Sequence, residues 1–306
     1  MSESQHKVDG NSSKNFKELP RAHTTYANIV KSLLPKSDAP KVSKDELPSF
    51  TYKVDTLTID SENLNDYRKI CGFDKNNTVP ITYFAVLSQS LQMNMMAKEA
   101  FPFAMLGLVH VDNSVTQYRK ILDNEVFAMS VDCVNLRDHD KGQQFDFVTQ
   151  VKAGDELIWE GVSTYLSRSR SKNRDRSKTS KQTTKLSIDS SSLHTYFKVA
   201  EDMGRRYAFV SGDFNLIHLH PLSARAFGFP KAIAHGMWSK AKCLSYIKNL
   251  PEAYRVDVSF KTPIFLPSEV ELIVADEVDK KIEFGLYCPK NDSPHALGVI
   301  SLLDHA

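Results

Sequence analysis

Apolar residues recur along the chain at two spacings. Across "TYFAVLSQSLQMNMMA", Phe84, Leu87, Leu91 and Met95 fall three and four residues apart, which predicts an amphipathic helix. Behind it the period drops to two. Met129, Val131 and Cys133 alternate with their neighbours, Phe145, Phe147 and Thr149 do the same, and Trp159 and Tyr165 share a parity in the run that follows. These are strand patterns. The order then returns. "HGMWSKAKCLSYIKNL" sets Met237, Ala241, Leu244 and Ile247 at helical spacing, with Pro251 as the stop, and "YRVDVSFKTP", "EVELIVADEV", "KIEFGLYC" and "ALGVISLL" follow as alternating runs. One helix followed by several antiparallel strands, given twice, predicts a duplicated and fused α+β unit. Each unit would be a curved sheet around one apolar helix, the two sheets pairing because a bare edge is a liability. The methionine-rich stretch around Met93–Met96 reads as core or pocket lining, and Trp159 and Trp238 read as core.

Composition changes abruptly between the halves. "SRSRSKNRDRSKTSKQTTK", residues 167–185, holds eight Lys/Arg against the single acid Asp175. Such a stretch buries too little apolar surface to offset its ordering entropy, so a solvated linker is expected in preference to an RNA-binding segment. With the polar start taken as disordered, the expected organisation is residues 1–20 disordered, 21–166 first domain, 167–185 linker and 186–306 second domain. The 306 residues carry a net charge of +2, so no global field points to nucleic acid. Four scattered cysteines give neither a CxxC pair nor a disulfide framework and fit a reducing compartment. No signal-like or membrane-spanning apolar run is present, and a soluble cytoplasmic protein is expected.

Candidate chemistry concentrates where the halves differ. The second has a polar, turn-rich insertion, Ser211–Ile233, ahead of its helix, whereas the first passes from "YRKICGFDKNNT" to "VPITYF" by a short loop. Long irregular segments in compact domains are usually functional. Within "VSGDFNLIHLHP", three readings compete. Asp213 and Asn215 could be Asx-turn formers in a polar loop. Asp213, His218 and His220 could ligate a metal, but the histidines lack i, i+4 spacing and no cysteine or glutamate joins them. Asp213 and His218 could be an acid–base pair. Downstream "AIAHGMW" favours the pair, because it puts Gly236 at a helix start, where unpartnered N–H groups and the positive dipole end suit an oxyanion.

"YAFVSGDFNLIH" followed by "AFGFPKAIAHGMW" resembles the hydratase motif of the MaoC-like family, the (R)-specific enoyl-CoA hydratases with a hot-dog fold. Tyr207, Ser211, Gly212, Asp213, Asn215, Ile217, His218, Ala224, His235, Gly236 and Met237 fit it, while Leu216 stands at a usual proline and His220 at a usual acidic or amide position. The resemblance implies a tandem (double) hot-dog and reversible hydration of trans-2-enoyl-CoA to the (3R)-3-hydroxyacyl product. It implies Asp213 and His218 as the catalytic pair and Gly236 as oxyanion donor, with Ser211, Gly212, Asn215 and His235 as support. The first half, lacking the motif, is similar to a degenerate hot-dog that widens the acyl pocket. No nicotinamide, flavin or nucleotide motif is present, and no cofactor or metal is expected. The substrate handle would be CoA or acyl-carrier phosphopantetheine, with Arg225, Lys231, Lys240 and Lys242 near enough in sequence to meet phosphates. Hot-dog proteins also include thioesterases and non-catalytic acyl binders, and both remain alternatives. A fused pair fits either a monomer or a homodimer.

Overall fold

The computed structural model describes residues 11–20, 46–105, 108–168, 185–187 and 192–304. A short strand β1 (Asn11–Phe16) comes first. The first half then runs β2 (Ser49–Thr58), α1 (Ser61–Cys71), α2 (Tyr83–Met96), β3 (Leu108–Gln117), β4 (Val126–His139), β5 (Gly142–Ala153) and β6 (Glu156–Arg168). The second runs β7 (Leu193–Val199), α3 (Met203–Ser211), α4 (Leu216–Leu219), α5 (Pro221–Ala226), α6 (Gly236–Tyr246), β8 (Tyr254–Phe260), β9 (Ser268–Val274), β10 (Lys281–Tyr287) and β11 (Pro294–Leu302).

The strands form one 11-stranded sheet, in the order β1-β2-β4-β5-β6-β3-β8-β11-β10-β9-β7. Within each half the strands stand first, third, fourth, fifth, second, so the duplication seen in the pattern is a duplication of topology. The second strands of the two halves, β3 and β8, meet at the centre, antiparallel from Asp112↔Ser259 to Gln117↔Tyr254. The fold is a double hot-dog, and the joining of the two sheets leaves no free edge at the seam.

Alternation explains the packing. Met129, Val131 and Cys133 of β4 and Phe145, Phe147 and Thr149 of β5 are buried against α2, whose Phe84, Leu91 and Met95 are buried in turn. In the second half Trp238, Ala241 and Leu244 of α6 are buried, but the helix ends at Tyr246 and Ile247 is already extended. Both tryptophans are core residues whose ring N–H is satisfied: Trp159 donates to the Ile81 carbonyl (2.7 Å) and Trp238 to that of Ile70 (3.2 Å).

Three expectations change. Residues 11–16, expected to be disordered, pair in parallel with Ser49–Val54, and the Phe16 ring meets Tyr52 edge-on at 5.4 Å. Ser167 and Arg168, expected in the linker, complete β6. Lys185, the linker's last residue, is held by Glu271 (2.6 Å) and Asp292 (2.7 Å), while residues 169–184 lie outside the described residues. Among the described residues no helix is long and apolar enough to cross a membrane.

Candidate active site

Helix α3 ends at Ser211 because Gly212 adopts a left-handed conformation (φ 74°), its N–H returning to the Ala208 carbonyl at 2.8 Å. The chain then folds back through a relay of small polar groups. Ser211 Oγ donates to the Tyr207 carbonyl (2.8 Å) and accepts from the Asp213 N–H (3.2 Å). Asp213 Oδ1 accepts from the Asn215 N–H (3.1 Å), and Asn215 Oδ1 caps α4 by accepting from the Ile217 N–H (3.4 Å). Leu216, at the usual proline position, is the first residue of α4, where a proline's missing N–H would also go unused; the Asn215 cap holds the turn without it. The turn brings α4 so close under α3 that a Cβ on Gly204 would lie 1.9 Å from the His218 carbonyl oxygen. Sequence reading missed Gly204, because its partner is a backbone oxygen fourteen positions away.

His218 is buried, and its Nδ1 lies 2.8 Å from the Ile233 carbonyl. A carbonyl only accepts, so Nδ1 carries the proton and Nε2 presents a lone pair. His235, the residue before α6, lies face to face with His218, with ring centroids 3.6 Å apart. Its Nε2 donates to the Asp213 carbonyl (3.0 Å) and lies 3.8 Å from Asp213 Oδ2. Burial pushes both imidazoles below the usual histidine range, His235 to about 3 with His218 adding to the effect, while the Asp213 charge pulls both back up. Both rings are therefore neutral near pH 7, beside a carboxylate that is one-fifth exposed.

Asp213, His218 and His235 each offer one ligand atom, all within 4.8 Å of one another. The arrangement is poor for a metal all the same. Imidazole lone pairs lie in the ring planes, and stacked rings send them side by side instead of to a common point. His220, the other histidine of the sequence-level metal reading, is elsewhere. It is exposed, and its Nδ1 accepts from the Leu222 N–H (3.1 Å) as the cap of α5. The Ser211–Ile233 insertion, expected to be irregular, thus contains two short capped helices, α4 and α5.

Gly236 opens α6, where first-turn N–H groups have no intrahelical acceptor. It also packs tightly, since a Cβ there would meet the Phe260 ring at 3.0 Å. The corresponding place in the first half carries none of this chemistry. Helix α1, which sequence reading missed, ends on Gly72 (φ 88°) just as α3 ends on Gly212. The next residue is Phe73 instead of an aspartate, and Asp74 points out to Lys248 (2.7 Å). Tyr83 opens α2 where Gly236 opens α6, and its hydroxyl donates to Asn63 Oδ1 (2.7 Å), whose amide in turn reaches the Val210 carbonyl (3.2 Å).

A cavity of about 950 Å³ runs between these elements, lined by Leu57, Tyr83, Val86 and Leu87 of the first half and by Phe209, Ser211, Gly212 and Phe214 of the second. Of the basic residues considered for phosphates, Arg225 and Lys231 are exposed. Lys240 is completely buried and Lys242 packs over the Tyr246 ring (4.8 Å), so Lys240 cannot meet a phosphate.

Residues 187–285 match the family model described as MaoC like domain. The chain is 37% identical over 234 residues to 3-hydroxyacyl-thioester dehydratase X of Mycobacterium tuberculosis (strain ATCC 25618 / H37Rv), a match covering 76% of this chain and 82% of that protein. The crystal structure of HtdX from the same species is similar at a TM-score of 0.72 and 33% identity, over 83% of this chain and 100% of that one. A MaoC-like dehydratase from Phytophthora capsici, 17% identical with a TM-score of 0.61 over 84% of this chain and 96% of its own, shares the fold.

Proposed function

The chain belongs to the MaoC-like dehydratase family, and on that premise we propose that Asp213 and His218 catalyse reversible addition of water to a 2-enoyl thioester. The observation that carries this reading is the His218 tautomer. With Nδ1–H held by the Ile233 carbonyl, Nε2 carries the lone pair, and a His218 ring nitrogen lies within 4.8 Å of an Asp213 carboxylate oxygen.

In the hydration direction, His218 Nε2 takes a proton from a water oriented by Asp213, and the water oxygen bonds to C3 of the enoyl group. Electron density moves to the thioester oxygen, where the Gly236 N–H and the positive end of α6 stabilise it. The Asp213–His218 pair returns one proton to Cα in exchange for the one taken from water, so the site ends as it began, and in the dehydration direction each step reverses. Ser211, Gly212 and Asn215 hold the turn that sets Asp213. His235 touches both members of the pair, bonding the Asp213 backbone and stacking on His218, and so fixes their spacing. The reaction is proton transfer and requires no metal or redox cofactor.

Leu57, Val86 and Leu87 give the cavity an apolar patch that suits an acyl chain, beside polar lining from Thr58, Asn63 and Ser90; CoA or a phosphopantetheine arm is the handle and the (3R)-hydroxyacyl thioester the product. Thioester hydrolysis fits less well: α6 carries no carboxylate to activate water on its inner face.

The test is loss of the enoyl-thioester absorbance of crotonyl-CoA without release of free thiol. Asp213→Asn and His218→Gln should each lower kcat/KM by about a hundred-fold or more with folding intact. Wild-type rates in either variant, or stoichiometric thiol release, would refute the assignment.

A further inference from the structure

The half without the Asp/His pair sends one polar side chain toward it. Strand β3 pairs regularly with β6 from Asp112↔Thr164 onward, but its register slips between His110 and Asp112. This is a β-bulge at Val111, and it changes which face His110 presents. Along β3, Asp112 and Ser114 line a cavity on the outer face with Thr164, Asp257 and Ser259, while Asn113 points inward to Lys240 of α6. Regular alternation would place His110 outward with Asp112. The bulge instead sets it opposite Tyr165, stacked at 4.7 Å, and edge-on to Phe260 at 5.3 Å. Phe260 is the ring packed against Gly236 at the start of α6. Bulges recur beside active sites because they re-aim a side chain in this way.

The His110 ring is left with an unmade bond. The Asp112 backbone favours the protonated form of the ring, as an acceptor facing a ring N–H does. The remaining nitrogen, Nε2, is closed off from solvent and has no hydrogen-bond partner among the described residues. The Asp213 charge acts on both His110 and Tyr165, which places the pair within electrostatic reach of the catalytic carboxylate. The arrangement continues into the first half's helix, since the Tyr165 hydroxyl donates to Gln92 Oε1 (3.3 Å) of α2. A buried acceptor without a donor is a cost that a bound ligand's donor would remove.

We propose that His110 is a further substrate-contacting residue, its Nε2 accepting a hydrogen bond from the bound acyl thioester. The donor is either the 3-hydroxyl of the hydroxyacyl form or an amide N–H of the thioester arm. This rests on the thioester reading above but not on which residues move protons.

The test is nitrogen-15 NMR of histidine-labelled full-length protein. Butyryl-CoA, which has no double bond to hydrate, is added to the wild type, and (R)-3-hydroxybutyryl-CoA to Asp213→Asn. A shifted His110 Nε2 resonance with both ligands assigns the arm amide, and a shift with the hydroxyacyl ligand alone assigns the hydroxyl. No shift with either, at concentrations where both bind, overturns the proposal. In parallel, His110→Phe keeps a ring for the stack and removes the acceptor; it should lower kcat/KM about five- to ten-fold, chiefly through KM. Wild-type kcat/KM in that variant overturns the proposal too. The NMR arm needs neither turnover nor a His110 variant, so it stands apart from the fate of the Asp213 and His218 assignment.

Discussion

In the proposed mechanism His218 acts as a base only while it is neutral, and burial keeps it neutral to lower pH than a solvated imidazole. The acid limb of the kcat/KM profile for crotonyl-CoA hydration should therefore lie below pH 6.5, and a limb at or above that value would contradict the buried, neutral base. The same burial ties histidine charge to stability. His110 is held down to about 4 and His235 to about 3, each well below the unfolded value of ~6.5. Between those limits the unfolded chain binds more protons than the folded one. The stabilisation is thus complete above about pH 6.5 and is lost as pH falls toward the folded values. At pH 5 each such histidine should cost about 2 kcal/mol, and urea titrations at pH 7.5 and 5.0 would measure the sum. At this scale the motif made legible the convergence of Asp213, His218 and His235 and the helix start at Gly236, because these placements depend on short spacings. It misplaced His220, whose neighbour in sequence is not its neighbour in space. It gave no sign of Gly204 or His110, which matter through a close backbone approach and a bulge.

The helices α3 and α4 form the element that positions Asp213 and His218, the proposed catalytic pair. Gly204→Ala puts a carbon 1.9 Å from a backbone oxygen that has no rotamer to escape into. It should destabilise by about 3 kcal/mol or more and lower hydratase activity with it, as thermal melts and kinetics on one preparation would show. His220→Ala removes an exposed cap and should cost only about 0.5–1 kcal/mol with kcat/KM unchanged; a large loss of activity there would place His220 back in the site. Periodicity found α2, α6 and the long strands because each buries a repeating face. It missed α1, α3, α4 and α5, which are short or polar and are held by caps and contacts. For α1 the signal was available: Asp60 accepts from the Glu62 and Asn63 N–H groups at the start, and Gly72 closes the end.

At the scale of the whole molecule, the β3–β8 seam carries a second tie. Lys240, fully buried on α6, donates to Asn113 Oδ1 (2.7 Å), the Asn113 carbonyl (3.1 Å) and the Val256 carbonyl (3.1 Å), so three N–H groups meet three acceptors on the two seam strands. Burial lowers its pKa to about 7, while the three acceptors favour the protonated amine, which alone has three N–H groups to give them. Lys240→Ala leaves those acceptors unpaired around a cavity and should cost about 3–5 kcal/mol, read as a lower urea midpoint with both halves unfolding in one transition. Two separate transitions in the wild type would show the seam to be weaker than its pairing suggests. The fused architecture was readable from the repeated order of helix and strands. The pairing of second strand with second strand was not, because sequence pattern records which residues face inward but not which edges meet.

The repeated strand order has an evolutionary corollary. In an assembly of two identical units, every substitution is made twice, and a change to the surface that moulds the acyl chain is also a change to the surface that moves protons. On the proposed assignment, those two duties fall mainly on separate stretches of one polypeptide. Under that assignment, replacing Leu57, Val86 or Leu87 reshapes the first unit's share of the mould, which Phe209 and Phe214 complete, and leaves Asp213, His218 and Gly236 of the other unit unchanged. On that assignment chain-length preference can drift, or be re-engineered, through first-unit residues without a matching change in the residues that move protons.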